Sequence, residues 1–128
     1  MSGKNGKMVE KKKKEMVEKS SASVKEKKVL NLLHLARKAG KLQIGFDACE
    51  RSCLRNRAKL VIFAEDISKN NRRRILFVAK NSNTKAIAFG TKLLFGEAFK
   101  AKEIGIICVE DENFVKGLIP LLTESKGE

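Results

Sequence analysis

From Val24 to Ala36 apolar residues recur at helical intervals, and Val29, Leu30, Leu32, Leu33, Leu35 and Ala36 form a broad stripe that Gly40 is placed to end. Lys41 to Ile44 reads as a short strand. Gly45 breaks the chain before a second helix, about Asp47 to Arg55, with Asn56 as its stop. Lys59 to Ala64 is an apolar run without alternation, the pattern of a strand covered on both faces, and Glu65 and Asp66 close it. Ser68, Asn70 and Asn71 are cap-type residues before a third helix, about Arg72 to Lys80, in which Ile75, Leu76, Val78 and Ala79 are expected to face inward. Lys85 to Phe89 is the next strand, Gly90 a turn, and Thr91 the cap of a fourth helix carrying Leu93, Leu94, Phe95, Ala98 and Phe99. Ile104 to Val109 is another buried strand. Asp111 to Asn113 turn into a last helix that Pro120 is expected to shorten or bend. This order predicts an α/β fold, a three-layer α/β/α sandwich with a small mixed four-stranded sheet.

Length and charge narrow the partners. A chain of 128 residues has room for one domain with a proper core, placed at residues 25–128. Residues 1–24 are lysine- and serine-rich and read as a basic, disordered tail; a weak helix from Met8 to Lys19, or an arm that folds on RNA, are the alternatives. The net charge of +13 predicts a polyanionic partner. Residues 29–102 alone hold sixteen Lys and Arg against five acids, so the folded body is basic without the tail. Tryptophan and tyrosine are absent, which disfavours base stacking as the main binding mode. Three cysteines without a secretory signal fit a reduced, cytoplasmic compartment, and no apolar run approaches the roughly 20 residues that span a bilayer.

Enzyme chemistry finds little support. Cys49 and Cys53 share a helix face, but a Cys/His zinc site would also need Cys108 and the lone His34 to converge on them, and small core residues are the simpler reading. Neither glycine-rich phosphate motif occurs, so no nucleotide cofactor is implied. Glu65 and Asp66 suit a strand-ending turn better than an acid/base pair. Arg72, Arg73 and Arg74 at a helix start oppose the macrodipole, and read as either a solvated cluster or an anion site. Two loops remain, Gly45 to Arg51 and Phe89 to Lys92. Each offers backbone N–H groups at a helix start, a glycine and a nearby cation, and each is also explained by turn geometry and a solvated helix face.

The segments Leu-Ala-Arg-Lys-Ala-Gly-Lys-Leu at 35–42, Gly45, Ala58 to Asp66, Gly90-Thr91-Lys92 and Gly96, in this order, resemble the kink-turn RNA-binding superfamily of ribosomal proteins L-seven-Ae and L-thirty-e, and most of all its bacterial YlxQ-like branch. The resemblance spans roughly residues 29–119. It implies a noncatalytic protein, without cofactor or metal, that binds structured RNA of kink-turn or internal-loop type beside the ribosome and is monomeric when free. The candidate RNA site is then Lys41, Gly45, Phe46, Asp47, Arg51, Phe89, Gly90, Thr91 and Lys92, with Lys41 and the basic tail expected on flanking phosphates. Kink-turn readers carry G-x-N-E-x-x-K at the first loop. Here Gly45 keeps the glycine, Asp47 stands for Asn, Ala48 for Glu and Arg51 for Lys, so the resemblance implies an RNA surface with altered specificity. Phe89 is then expected to pack near an unstacked base. The competing reading is a protein-interaction or scaffold module of a translation complex whose basic face meets an acidic protein.

Overall fold

The computed structural model describes residues 23–124. Five helices and four strands alternate: α1 (Val24–Lys38), β1 (Leu42–Ile44), α2 (Phe46–Leu54), β2 (Leu60–Phe63), α3 (Lys69–Asn81), β3 (Lys85–Ala88), α4 (Lys92–Ala98), β4 (Ile106–Val109) and α5 (Glu112–Glu124). The expected tail lies outside the described residues except for its last two. Ser23 and Val24 instead open α1, where the Ser23 hydroxyl accepts from Glu26 N at 3.0 Å while Glu26 Oε1 accepts from Ser23 N at 2.9 Å. This reciprocal capping box satisfies two otherwise orphaned donors and fixes the helix start.

The sheet has the order β1-β4-β2-β3. β4 runs antiparallel to both β1 and β2, whereas β2 and β3 are parallel, so the sheet is mixed as the element order implies. Alternation along the two central strands sorts the core into two halves. Leu60, Ile62, Ile107 and Val109 pack with Val29 and Leu33 of α1, Phe95 of α4 and Leu118 of α5. Val61, Phe63, Ile106 and Cys108 pack with Cys49 and Cys53 of α2 and Ile75 and Val78 of α3. Helices therefore cover both faces, and β2 and β4 are buried throughout, which explains their unbroken apolar runs.

Three local expectations change. α3 begins at Lys69, because the Ser68 hydroxyl accepts from Asn71 N at 3.1 Å and so makes Ser68 the cap. Arg72, Arg73 and Arg74 consequently sit one turn inside the helix rather than at its start. Leu76 is 40% exposed and Phe77 66%, so the inward stripe of α3 is narrower than expected and consists of Ile75, Val78 and Ala79. Pro120 lies inside α5, which continues to Glu124. Pro120 and Lys116 are both exposed, so the carbonyl that lacks its helical donor lies on the solvent side, and the inward residues Leu118 and Leu122 hold the helix against the sheet.

Candidate nucleic-acid interface

The register brings four connections to one end of the sheet. Ile44 pairs with Ile107, Phe63 with Ile106 and Phe63 with Ala88, so Gly45, Gly105, Ala64 and Phe89 leave or enter the strands side by side. Gly45 and Gly90 stand at opposite edges, about 14 Å apart at ordinary strand spacing. Backbone bonds knit the row: Gly45 N donates to Ile106 O at 2.9 Å, Ala64 N to Gly105 O at 2.8 Å, and Glu65 N to Gly90 O at 2.8 Å.

The two helix starts at this end differ in kind. At α4 the Thr91 hydroxyl accepts from Leu94 N at 3.0 Å and Asp66 Oδ1 accepts from Lys92 N at 2.9 Å. Two of its first N–H groups are thus already satisfied by side chains, contrary to the expectation that this loop offers free donors. The acid pair has a structural part here: Asp66 ties the end of β2 to the start of α4. At α2 no side chain caps the helix, and Gly45 precedes it with φ 101° and ψ 157°. The N–H groups of Phe46, Asp47 and Ala48 have no acceptor among the described residues. Such a row of donors at the positive end of a helix suits an anion or an electron-rich base edge.

A cleft of about 620 Å³ lies against this end, lined among others by Arg37, Gly45, Phe46, Ser68, Lys92 and Glu103. Lys92 Nζ is 3.7 Å from Glu103 Oε1, and Ile104 N donates to Lys92 O at 3.1 Å, so Lys92 is held over the entry to β4. The Arg37 guanidinium stacks 5.3 Å from the Phe99 ring centroid. Phe46 is half-buried beneath Arg74, whose guanidinium carbon is 4.2 Å from the ring centroid and which also reaches Glu50 at 3.9 Å. Arg72 stacks on Phe63 at 5.6 Å and donates to Glu65 O at 3.2 Å. Two of the three arginines therefore brace the site from the side, which their one-turn shift along α3 makes possible.

The sequence-derived residues divide accordingly. Gly45, Phe46 and Lys92 meet in the cleft, and Asp47 is exposed at the uncapped start of α2. Arg51 is exposed but lies further along α2, in a separate recess with Gln43, Ala48, Arg55, Arg57 and Glu110. Gly90 forms the turn and Thr91 the cap beside Lys92. Lys41 precedes β1 and so sits at the opposite end of the sheet, with Gly40, Asn56, Arg57 and Lys59. Phe89 is only 8% exposed and packs against Phe95 with centroids 6.5 Å apart, so its ring fills the core instead of meeting a base. Period-two alternation after Ile87 was the signal for that inward turn. Arg37, Ser68 and Asn71 were missed: they come from elements distant in sequence, and only the fold joins them to the cleft.

The thiols stay inside. Cys49, Cys53 and Cys108 are free and buried. Cys108 Sγ donates to Ser52 Oγ at 3.3 Å, and Ser52 Oγ to Glu110 Oε2 at 2.6 Å, which gives the buried Ser52 both partners it needs. The hydrogen bond with Cys108 and burial push the Cys49 thiol well above its ordinary range, and burial raises Cys53. His34 packs on Phe99 at 4.7 Å, across the sheet from the three thiols. No group of three or more His, Cys, Asp and Glu among the described residues is arranged to hold a metal ion. No helix among them is long and apolar enough to cross a membrane.

No curated protein matches the chain. Among solved structures, a protein with unknown function from Bacillus halodurans C superposes with a TM-score of 0.69 at 25% identity, over 74% of this chain and 96% of that one. The Giardia lamblia 15.5kD RNA binding protein superposes with a TM-score of 0.64 at 14% identity, over 84% of this chain and 92% of that one, a likeness of fold. The model of the Ribosomal protein L7Ae/L30e/S12e/Gadd45 family matches residues 27–118, from the first helix into the last, and the chain belongs to that family.

Proposed function

We propose that the protein is a noncatalytic RNA-binding protein of the cytoplasm that docks a kinked or internal-loop RNA, in or beside the ribosome, on the sheet end formed by Gly45 to Asp47 and Gly90 to Lys92. The observation that carries this reading is the uncapped start of α2, where the N–H groups of Phe46, Asp47 and Ala48 lack acceptors among the described residues, at the rim of a cleft lined by Lys92 and Arg37. Family membership supports it, as do the likeness of fold to a protein named for RNA binding and a basic charge that persists without the tail.

In this reading Gly45 lets the RNA backbone approach α2, whose free donors take a phosphate or base edge, while Lys92 and Arg37 neutralise flanking phosphates. Arg51, without an ion pair among the described residues, reaches a more distant phosphate or a guanine. Asp47 and Ala48 lack the amide and carboxylate that kink-turn readers place there, so discrimination between RNA shapes falls by about 1–3 kcal/mol for each base edge left unread. Lys41 lies too far away to share the site.

An electrophoretic mobility shift comparing a kink-turn RNA with an unkinked duplex of equal length tests this. Tighter binding of the kink-turn, weakening steeply with salt, is expected. Equal affinity for both removes structure-specific recognition, and no binding to either at low salt removes the RNA-binding reading.

A further inference from the structure

Outside the cleft, the outer face of α3 carries a feature that the docking site leaves unused. α3 holds five cations, Lys69, Arg72, Arg73, Arg74 and Lys80, and no acid. Arg72 and Arg74 are engaged with Phe63, Phe46 and Glu50. Arg73 and Lys80 are exposed and make no ion pair among the described residues. They stand four residues before and three after Phe77, which places all three on one stripe of the helix. The Phe77 ring is 66% exposed and no other ring or cation stacks on it among the described residues.

We infer that this stripe of α3 is a second RNA contact, in which an unpaired base stacks on Phe77 and its neighbouring phosphates meet Arg73 and Lys80. Charge complementarity selects the occupant, since a helix with five cations and no acid favours a polyanion. The apolar surface is also small, Phe77 with the partly exposed Leu76, which suits one base better than the well-packed centre that a protein interface of about 800 Å² per partner needs. Position agrees too. Ser68 and Asn71 at the start of α3 line the cleft, and Phe77 follows six residues later, about 9 Å along the helix axis. Asn71 lies about a third of a turn round the helix from Phe77, whereas its exposed neighbour Asn70, seven residues before Phe77, heads the stripe, so a strand leaving the cleft at the start of α3 crosses Asn70 to reach it. The identity of the ligand rests on the RNA-binding reading, but none of the residues that carry that reading is used.

The test compares a blunt kink-turn RNA with the same RNA extended by six unpaired nucleotides at each end in turn, using wild type, Phe77→Ala, Arg73→Ala with Lys80→Ala, and Lys92→Ala. Wild type is expected to bind one extended RNA roughly tenfold more tightly than the blunt one. Phe77→Ala removes that gain and leaves blunt affinity unchanged, and the double variant lowers the salt slope for the extended RNA by about 1.4. Lys92→Ala weakens both RNAs, which separates the two sites. If wild type binds the blunt RNA but gains nothing from either extension, or if Phe77→Ala keeps the gain, the stripe is no RNA contact while the cleft reading stands. Failure of wild type to bind any RNA overturns both readings. Concentration-dependent self-association, or capture of an acidic protein, that is lost with Phe77→Ala while the RNA affinities stay level assigns the stripe to protein and overturns the inference.

Discussion

Replacing Gly45 with alanine separates backbone strain from packing. Gly45 sits at φ 101° and ψ 157°, and a Cβ built there meets nothing within 4 Å. No side chain has to move, so the cost comes from the dihedrals alone. That region is nearly closed to residues with a Cβ and costs about 1–3 kcal/mol. Alanine also restricts the unfolded chain, which returns about 0.4–1 kcal/mol, and the net loss is about 1–2 kcal/mol. For a domain of this size the midpoint should fall by about 5–15 °C. Circular dichroism at the helical band is the appropriate probe, because the chain has no tryptophan or tyrosine for fluorescence. Gly40→Ala is the control: Gly40 has φ 73° and equally open surroundings, but lies nearer the small left-handed region that ordinary residues visit, so it should cost less. Relief of the strain would turn the peptide that precedes Phe46, so Gly45→Ala should also weaken RNA binding where Gly40→Ala does not. A Gly45→Ala protein within 0.5 kcal/mol of wild type in urea titration would refute the claim that this conformation is enforced.

Three further outcomes follow from other contacts. Gly96→Ala introduces a Cβ at 2.6 Å from Lys102 O and 2.9 Å from Ala101 O, both backbone atoms that Ala101 N→Gly96 O holds in place, so it should destabilise by about 1–3 kcal/mol despite the better helix propensity of alanine; an unchanged urea midpoint would show that the 100–103 turn yields freely. Lys92→Ala should weaken RNA binding and flatten its salt dependence, whereas Lys41→Ala, at the other end of the sheet, should change the kink-turn affinity little, and filter binding across a salt series would contradict the placement if the two variants behaved alike. The Cys49 and Cys53 thiols are raised in the fold while the bond that raises Cys49 lowers Cys108, so on balance the native state keeps more thiol protons than the unfolded chain above about pH 8; stability should fall as pH rises beyond that point, and alkylation at neutral pH should modify the buried thiols only after unfolding. Rapid labelling of the native protein would contradict that burial.

Local chemistry made much of the architecture legible, and non-local pairing hid the rest. The unbroken runs at Leu60 to Phe63 and Ile106 to Val109 identified strands covered on both sides, and Gly45 and Gly90 marked the turns that now stand at one sheet end. The strand order could not be read in the same way, because β1 pairs with β4 across more than sixty residues of chain. Helix starts were harder where cap-type residues cluster: Ser68, Asn70 and Asn71 are all good caps, and the hydrogen bond from Asn71 N to Ser68 decides among them. In the candidate site, loop composition pointed to Gly45 and Lys92 but not to Arg37, whose place depends on how α1 crosses the sheet. The position of Phe89 beside the loop suggests the surface, although its alternation with Ile87 assigns it to the core.

The position of β4 between β1 and β2 has a consequence for synthesis. The anchor of Gly45, its N–H bond to Ile106 O, and the paired edge of β1 both depend on β4, the last of the four described strands to emerge. β2, α3 and β3 can form their parallel unit while a ribosome is still making the chain, but β1 remains without a neighbour until residues 106–109 are free. The start of α2 therefore acquires its fixed aim only once β4 has been made, and a chain arrested before β4 would carry the glycine and the cations without the frame that brings them together.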